Sequence, residues 1–128
     1  MQLSPYEKKI FTLVNKHRLK KGLKALAYNP VIQYQAFTHS NNMAQNKIGF
    51  GHGQFNTRAK NIAKKLERIK SVAENVAYGQ TSAKQVVKGW LQSPTHRINI
   101  EGNFNLSGLS AKKDRSGRWY YTQIFVKK

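Results

Sequence analysis

The sequence has no cysteine and very little negative charge. Without a thiol the chain can form no disulfide, no thiolate metal site and no cysteine nucleophile, and its composition is compatible with an oxidising or a reducing compartment. Only 5 Asp and Glu accompany 23 Lys and Arg in 128 residues, which gives a formal net charge of +18. This excess raises encounter rates with anionic partners such as nucleic acid, anionic lipid or glycan, and acidic envelope polymers, unless it serves solubility alone.

The chain also has no long hydrophobic run. No apolar stretch approaches the roughly 20 residues that cross a bilayer, and the first residues lead into a charged segment without a signal-like stretch. We therefore expect no transmembrane helix, and we expect any signal peptide to have preceded Met1. The length and a hydrophobic content of 39% predict one globular domain over residues 1–128, which we expect to be a monomer.

Two helix starts with proline in the first turn lie near the N-terminus. Ser4-Pro5-Tyr6-Glu7 has the pattern of a capping box and predicts a helix that runs to about Lys21 and ends at Gly22. Asn29-Pro30 predicts a second helix that ends near Asn46. The positions expected on its buried face recur at helical spacing: Ile32, Ala36, His39 and Met43.

Three later segments also carry helix signals. Thr57 is expected to cap a short third helix, and Thr81-Ser82 to open a fourth, with Gln85 completing a second capping box. Ser93-Pro94 stops the fourth helix and starts a short one through Asn99, because proline cannot continue a helix but is welcome in its first turn.

The remaining segments predict a small antiparallel sheet. Residues 72–78 have the pattern of a strand, and residues 104–111 and 118–126 that of a hairpin joined by the turn-rich segment 114–117. About four helices that flank such a sheet make an α+β layered domain.

Three motifs carry a resemblance that covers nearly the whole chain: residues 74–79, 89–100 and 121–125. In this order they resemble the CAP superfamily, the pathogenesis-related-1 and SCP-like proteins, and the run Ser-Pro-Thr-His-Arg at 93–97 resembles its bacterial branch. The resemblance implies an α-β-α sandwich with a central antiparallel sheet, a surface cleft, and an extracellular or periplasmic location.

The resemblance also implies the residues of the cleft. Eukaryotic relatives line it with two histidines and two glutamates, of which His52 and Glu74 match one each. Tyr120 stands where relatives carry the second histidine, and the bacterial-type run supplies His96. We therefore expect a cleft that holds His52, Glu74, His96 and Tyr120, with His52 presented by the Gly-rich loop 49–53.

Several chemistries are open to these side chains. His52 and His96 could hold a divalent metal such as zinc, with Glu74 as third ligand. Alternatively, Glu74 and His96 share a hydrogen bond with a structural role. The residues favour no enzyme, because the cleft motifs contain one carboxylate, no Gly-x-Ser-x-Gly elbow occurs, and Ser93 before Pro94 is expected to cap a helix.

Other aromatic and imidazole side chains are expected to be structural. His17 and His39 fall on the inner faces of the first and second helices, which is typical of half-buried histidines that bond to a neighbour. Trp90 and Trp119 are expected to anchor the core.

The positive charge is expected to concentrate in two groups: Lys60, Lys64, Lys65, Arg68 and Lys70, and Lys20, Lys21 and Lys24. No nucleic-acid fold signature or aromatic ladder accompanies them. We therefore expect salt-sensitive attraction to anionic surfaces or polymers and no sequence-specific binding of nucleic acid.

The leading prediction is a secreted or cell-envelope binding module without enzymatic activity, whose cleft takes a small ligand, a lipid or an ion. One alternative is a metal-assisted hydrolase with His52 and His96 as ligands and Glu74 as general base. Another is a basic adhesion domain that binds anionic envelope polymers or surfaces.

Overall fold

The structure is a computed structural model that describes residues 2–128. Five helices and four strands follow one another in this part of the chain: α1 (Pro5–Lys20), β1 (Ala27–Tyr28), α2 (Pro30–Ala44), α3 (Phe55–Lys65), β2 (Ser71–Tyr78), α4 (Ala83–Gln92), α5 (Pro94–Ile100), β3 (Leu106–Lys113) and β4 (Trp119–Lys127). Within residues 2–128, no helix has the length and apolar character needed to span a membrane.

The four strands form one sheet in the order β1-β3-β4-β2. As predicted, β4 pairs antiparallel with both β2 and β3. The sequence analysis missed β1, which has two residues and pairs in parallel with β3, so the sheet is mixed at that edge. A two-residue strand has no periodicity to detect. At the opposite edge lies β2, the strand that carries Glu74.

Helices cover both faces of the sheet, which confirms the predicted α-β-α sandwich. Successive side chains of β4 point to opposite faces. Tyr121 and Phe125 belong to the cluster against α1 and α4, which also contains the predicted core residue Trp90. Ile124 and Val126 belong to the cluster against α2 and α3. The predicted inner face of α2 is confirmed, since all four of its named side chains are buried.

The start of α1 is as predicted. Ser4 Oγ accepts a hydrogen bond from the Glu7 amide, and the Glu7 carboxylate accepts one from the Ser4 amide, which completes the capping box. The helix ends at Lys20, and Gly22 has a φ of +77°. The other Glu7 oxygen accepts a bond from the Ala111 amide of β3, so the capping residue also ties α1 to the sheet.

Two predicted caps are wrong in detail. Helix α3 begins at Phe55, and its N-cap is Gln54 in the left-handed conformation, with a φ of +63°. Thr57 lies inside the helix and donates its hydroxyl to the Gln54 side chain. At α4, Ser82 accepts from the Gln85 amide as predicted, but the Gln85 side chain accepts from the Thr81 amide, one residue earlier.

Three side chains predicted to be structural occupy such positions. His17 is half-buried and bonds to Glu101 at 2.6 Å, which joins α1 to the end of α5. Trp90 is buried and donates its Nε1–H to the Val76 carbonyl of β2. Trp119 is half-buried, with its ring 4.8 Å from that of Tyr6.

Arg18 forms a buried junction that the sequence analysis missed. Its guanidinium donates to the carbonyls of Lys24, Ile100, Gly102 and Phe104. One side chain therefore bonds to four backbone acceptors, one in the loop after α1 and three at and beyond the end of α5. Burial lowers the pKa of Arg18 from its ordinary value.

A close contact between layers lies where α2 crosses β3. Gln33 exchanges two hydrogen bonds with the Leu109 backbone, through its Nε2 and Oε1 atoms. Next to it, Gly108 brings the strand so close to the helix that a Cβ would lie 2.5 Å from the backbone nitrogen of Gln33. Rigid backbone on both sides leaves a methyl group no room.

We therefore predict that Gly108→Ala lowers the free energy of unfolding by about 1–3 kcal/mol, because the helix and the strand must separate. Gly89→Ala is the matched control, since Gly89 lies in α4 with open space around its Cβ position. Alanine there should stabilise the helix by about 0.5–1 kcal/mol. Urea unfolding of the two variants measures both effects, and equal stabilities would contradict the packing account.

Candidate functional site

Glu74 is the centre of a buried polar cluster in β2. Its side chain is 1% exposed, and its carboxylate forms a bidentate ion pair with the Arg58 guanidinium of α3. The Nε–Oε2 and Nη2–Oε1 distances are both 2.7 Å. Arg58 Nη1 also donates to the Gly53 carbonyl at 2.7 Å, so the same side chain fixes the end of the Gly-rich loop.

The sequence analysis missed Arg58. Because it placed the start of the third helix at Thr57, it did not assign Arg58 to a face of the helix. The available signal is the spacing of Arg58 and Ile62, which lie four residues apart and are both buried in α3. A cation on the apolar stripe of a helix requires a buried partner, and the Glu-Asn motif supplies it.

His52 bonds to the same carboxylate. Its Nδ1 lies 2.9 Å from Glu74 Oε1, and its side chain is 52% exposed. An ionised carboxylate only accepts hydrogen bonds, so we assign the proton of the neutral ring to Nδ1. Nε2 of His52 then carries a lone pair and is available to a ligand.

His39 holds the loop that presents His52. It is buried in α2, and its Nε2 donates to the Gly51 carbonyl at 2.6 Å, as expected of a histidine that bonds to a neighbour. Burial is the main cause that lowers the pKa of His39, and the Arg58 and His52 charges lower it further, while the Gly51 bond and Glu74 oppose them. His39 is therefore neutral at pH 7.

His96 lies in the short helix α5. Its Nδ1 lies 2.8 Å from Ser93 Oγ. Ser93 is the N-cap residue of α5, as predicted, but its side chain bonds to this ring and not to a helix amide. Asn75 Nδ2 donates to the His96 carbonyl, so β2 also positions α5.

The His96 ring is electrostatically coupled to His52. Burial lowers the pKa of His96, and the charge of His52 lowers it further. The two rings are therefore close enough for their charges to interact, and the expectation that they line one cleft stays a prediction. The alternative in which Glu74 and His96 share a hydrogen bond is wrong, because the Glu74 carboxylate bonds to Arg58 and His52 and the His96 ring bonds to Ser93.

Tyr120 belongs to an aromatic cluster that the sequence analysis did not predict. Its ring stacks on Tyr78 of β2, with centroids 5.9 Å apart and planes at 17°. Tyr78 in turn contacts Phe50 edge-on at 4.6 Å. Phe50 and Tyr78 are 48% and 46% exposed, and Phe50 precedes His52 by two residues in the same loop. The Arg118 guanidinium lies 5.6 Å from the Tyr78 ring centre.

The donors of this cleft fit a three-ligand zinc site poorly. Both oxygens of Glu74 are bonded to Arg58, so a metal at this carboxylate would have to displace a buried cation. Across residues 2–128, no three His, Cys, Asp or Glu side chains are grouped so that they could hold a metal ion. The assignment of His52 and His96 as metal ligands stays a prediction.

Both predicted basic groups are exposed: Lys60, Lys64, Lys65, Arg68 and Lys70, and Lys20, Lys21 and Lys24. The first group does not follow one helix face, because α3 ends at Lys65 and Arg68 has a φ of +61° beyond it.

The buried ion pair yields a stability prediction. Arg58→Met leaves the Glu74 carboxylate buried without its cation, and we expect it to lower the free energy of unfolding by about 3–5 kcal/mol. The double variant Arg58→Met/Glu74→Leu removes both charges and should recover most of this loss. Urea unfolding measures each variant. A loss below about 1 kcal/mol in Arg58→Met, the size for a surface pair, would show that the bond is not buried in solution.

The lowered pKa values of His39 and His96 predict that the free energy of unfolding depends on pH. In the unfolded chain each of these two rings takes up a proton at about pH 6.5. In the folded protein the same rings take up protons only at lower pH. Their contribution to stability is therefore fully present above about pH 6.5 and is lost as the pH falls towards the folded pKa. His39→Gln keeps a donor for the Gly51 carbonyl and should lose less stability than wild type between about pH 7 and 5. Equal losses in urea unfolding would contradict the buried neutral ring.

The chain shares extended similarity with proteins of Bacillus subtilis. It is 34% identical over 134 residues to the protein YkwD and 32% identical over 126 residues to the membrane protein YlbC. These alignments cover 98% and 95% of this chain but 49% and 34% of the relatives, so the chain spans half of their length or less.

The fold also matches a solved structure, an outer surface protein from Borrelia burgdorferi. The TM-score is 0.86 at 20% identity, with 100% of this chain and 96% of the other covered. At 20% identity this similarity shows a shared fold and nothing further. The family profile described as "CAP: Cysteine-rich secretory protein family" matches residues 11–125, and the chain therefore belongs to the CAP family although it contains no cysteine.

Proposed function

We propose that this domain is a non-enzymatic binding module, displayed outside the cell or at its surface, whose cleft takes a hydroxyl-rich ligand of the glycan class. The observation that carries the proposal is the state of Glu74, the one carboxylate of the cleft. Arg58 and His52 bond to both of its oxygens, so Glu74 is placed to orient other groups and not to take a proton itself.

The bonds of Glu74 disfavour the hydrolase alternative in which this residue is the general base. A general base must come within hydrogen-bond reach of the proton it removes, directly or through one water. Glu74 is 1% exposed and bonded through both oxygens, to Arg58 and His52. A carboxylate in this state positions other groups, as Glu74 does for His52.

The imidazoles supply hydrogen-bonding atoms for a ligand. His52 and His96 each bond to the protein through Nδ1, to Glu74 and Ser93 respectively. Their Nε2 atoms remain for the ligand, and that of neutral His52 accepts a hydrogen bond. Hydroxyl groups are suitable donors for such an atom.

The aromatic cluster supplies the apolar part of the site. The C–H faces of a sugar ring pack on aromatic rings, while its hydroxyls bond to nearby polar atoms. Phe50 and Tyr78 are half-exposed and contact one another, and Phe50 lies two residues before His52 in the same loop. Exposed apolar surface next to convergent polar groups is typical of a ligand site.

The location is supported by the relatives. One is named as a membrane protein and another as an outer surface protein. The high positive charge favours attraction to anionic polymers at such a surface. The predicted adhesion role then acts with the cleft, by raising the local concentration of a polymeric ligand.

We predict that Tyr78→Ala and His52→Ala each weaken binding of a glycan probe by about tenfold, or about 1.4 kcal/mol. The probes are chitotetraose, which is neutral, and tetragalacturonate, which is anionic, titrated by NMR. Tyr34→Ala is the matched control, because Tyr34 is 56% exposed on α2 and outside the aromatic cluster.

Two outcomes would overturn the proposal. One is an absence of saturable shifts at residues 50–52 and 78 with both saccharides. The other is micromolar zinc binding in calorimetry that disappears in His52→Ala and His96→Ala, which would favour the ion-binding alternative.

A further inference from the structure

Helices α1 and α4 form an open groove on the layer opposite to α2 and α3. Its volume is about 410 Å³, and its apolar floor consists of Leu13 of α1 with Val87 and Leu91 of α4. Val87 is buried, and the two leucines are half-buried. The floor therefore offers apolar surface to a partner between the second half of α1 and α4.

Lysines line both walls of this groove. Lys16 and Lys20 follow one another on α1, and Lys84 and Lys88 on α4. A spacing of four residues places successive lysines about 6 Å apart along each helix axis. All four are exposed, and within residues 2–128 none of them pairs with an acidic side chain. Two rows of free positive charge thus flank an apolar floor.

One acidic side chain touches the lining. Glu101 bonds to His17 at 2.6 Å, and His17 is itself one of the residues that line the groove. This bond uses the carboxylate within the protein, so it neutralises none of the lysines.

The distribution of charge around the groove indicates which kind of molecule binds there. An amphiphile with one headgroup needs cations at one end of an apolar channel, whereas here the cations repeat along both walls. A second copy of this chain is a poor partner, because both copies carry +18 and only 5 acidic residues. An amphipathic helix with an apolar stripe and carboxylates on both flanks complements both the floor and the walls.

We propose that the groove docks an acidic amphipathic helix of a partner protein, which packs as a third helix against α1 and α4. The apolar stripe covers Leu13, Val87 and Leu91, and the flanking carboxylates pair with the lysines. Charge complementarity of this kind speeds association and fixes the register of the bound helix. The groove shares no lining residue with the His52 cleft, so the two sites are separable by experiment.

The probe is a labelled synthetic peptide of about 18 residues, or roughly five helical turns, with a leucine stripe and glutamates on both flanks. A peptide of the same composition in shuffled order lacks the stripe. Fluorescence anisotropy at physiological salt should show binding of the first peptide and not of the second.

The decisive variant is Lys16→Glu/Lys88→Glu, which reverses one charge on each wall. We expect it to weaken binding by about tenfold. The control is Lys60→Glu/Lys64→Glu on α3, which makes the same change in net charge outside the groove and should alter affinity by less than about twofold. A peptide with lysines in place of the glutamates should bind the groove variant better than wild type.

Three results would overturn the proposal. Equal losses in the two charge variants would indicate unspecific attraction. Equal binding of the shuffled peptide would show that the stripe has no role. Binding of decanoate, an anionic single-chain amphiphile, with NMR shifts at Leu13 and Leu91 but without peptide binding, would assign the groove to an amphiphile.

Discussion

The buried bond between Arg58 and Glu74 is the interaction on which the candidate site depends. It joins α3 to the edge strand β2, and through the Gly53 carbonyl it fixes the loop that carries His52. An unpaired charge at either position would be costly, so the two side chains are effective only together. The same bond engages both oxygens of the Glu74 carboxylate, which then orients His52.

Scarcity of negative charge shapes the rest of the molecule. Four of the five acidic residues each have a specific structural partner: Glu7 caps α1 and bonds to β3, Glu74 pairs with Arg58, Glu101 bonds to His17, and Asp114 closes the hairpin turn. Little negative charge is left to neutralise the surface lysines. The positive surface follows from the excess of 23 Lys and Arg over 5 Asp and Glu. Because the ion pairs of the acidic residues within residues 2–128 involve none of the groove lysines, the α1–α4 groove is flanked by free cations.

The sequence predicted the layers and most helix bounds because these follow from local signals. The capping box at Ser4 and Glu7 and the inner face of α2 depend on spacing along one element. Arg58 and Gly108 were harder, because their roles arise from contacts with β2 and α2, distant in the chain. The resemblance placed His52, Glu74, His96 and Tyr120, but not the partners that determine their chemistry. Phe50 and Tyr78 were missed because exposure of an aromatic ring is a property of the folded surface.

The central claim is that Glu74 serves to orient His52 and leaves its Nε2 to a ligand. The most direct measurement is the ¹⁵N chemical shifts of the His52 ring by NMR at about pH 7.5. Our account predicts the tautomer protonated at Nδ1, with Nε2 as an unprotonated acceptor, and loss of this preference in Glu74→Gln. A ring protonated at Nε2 in the wild-type protein would contradict it.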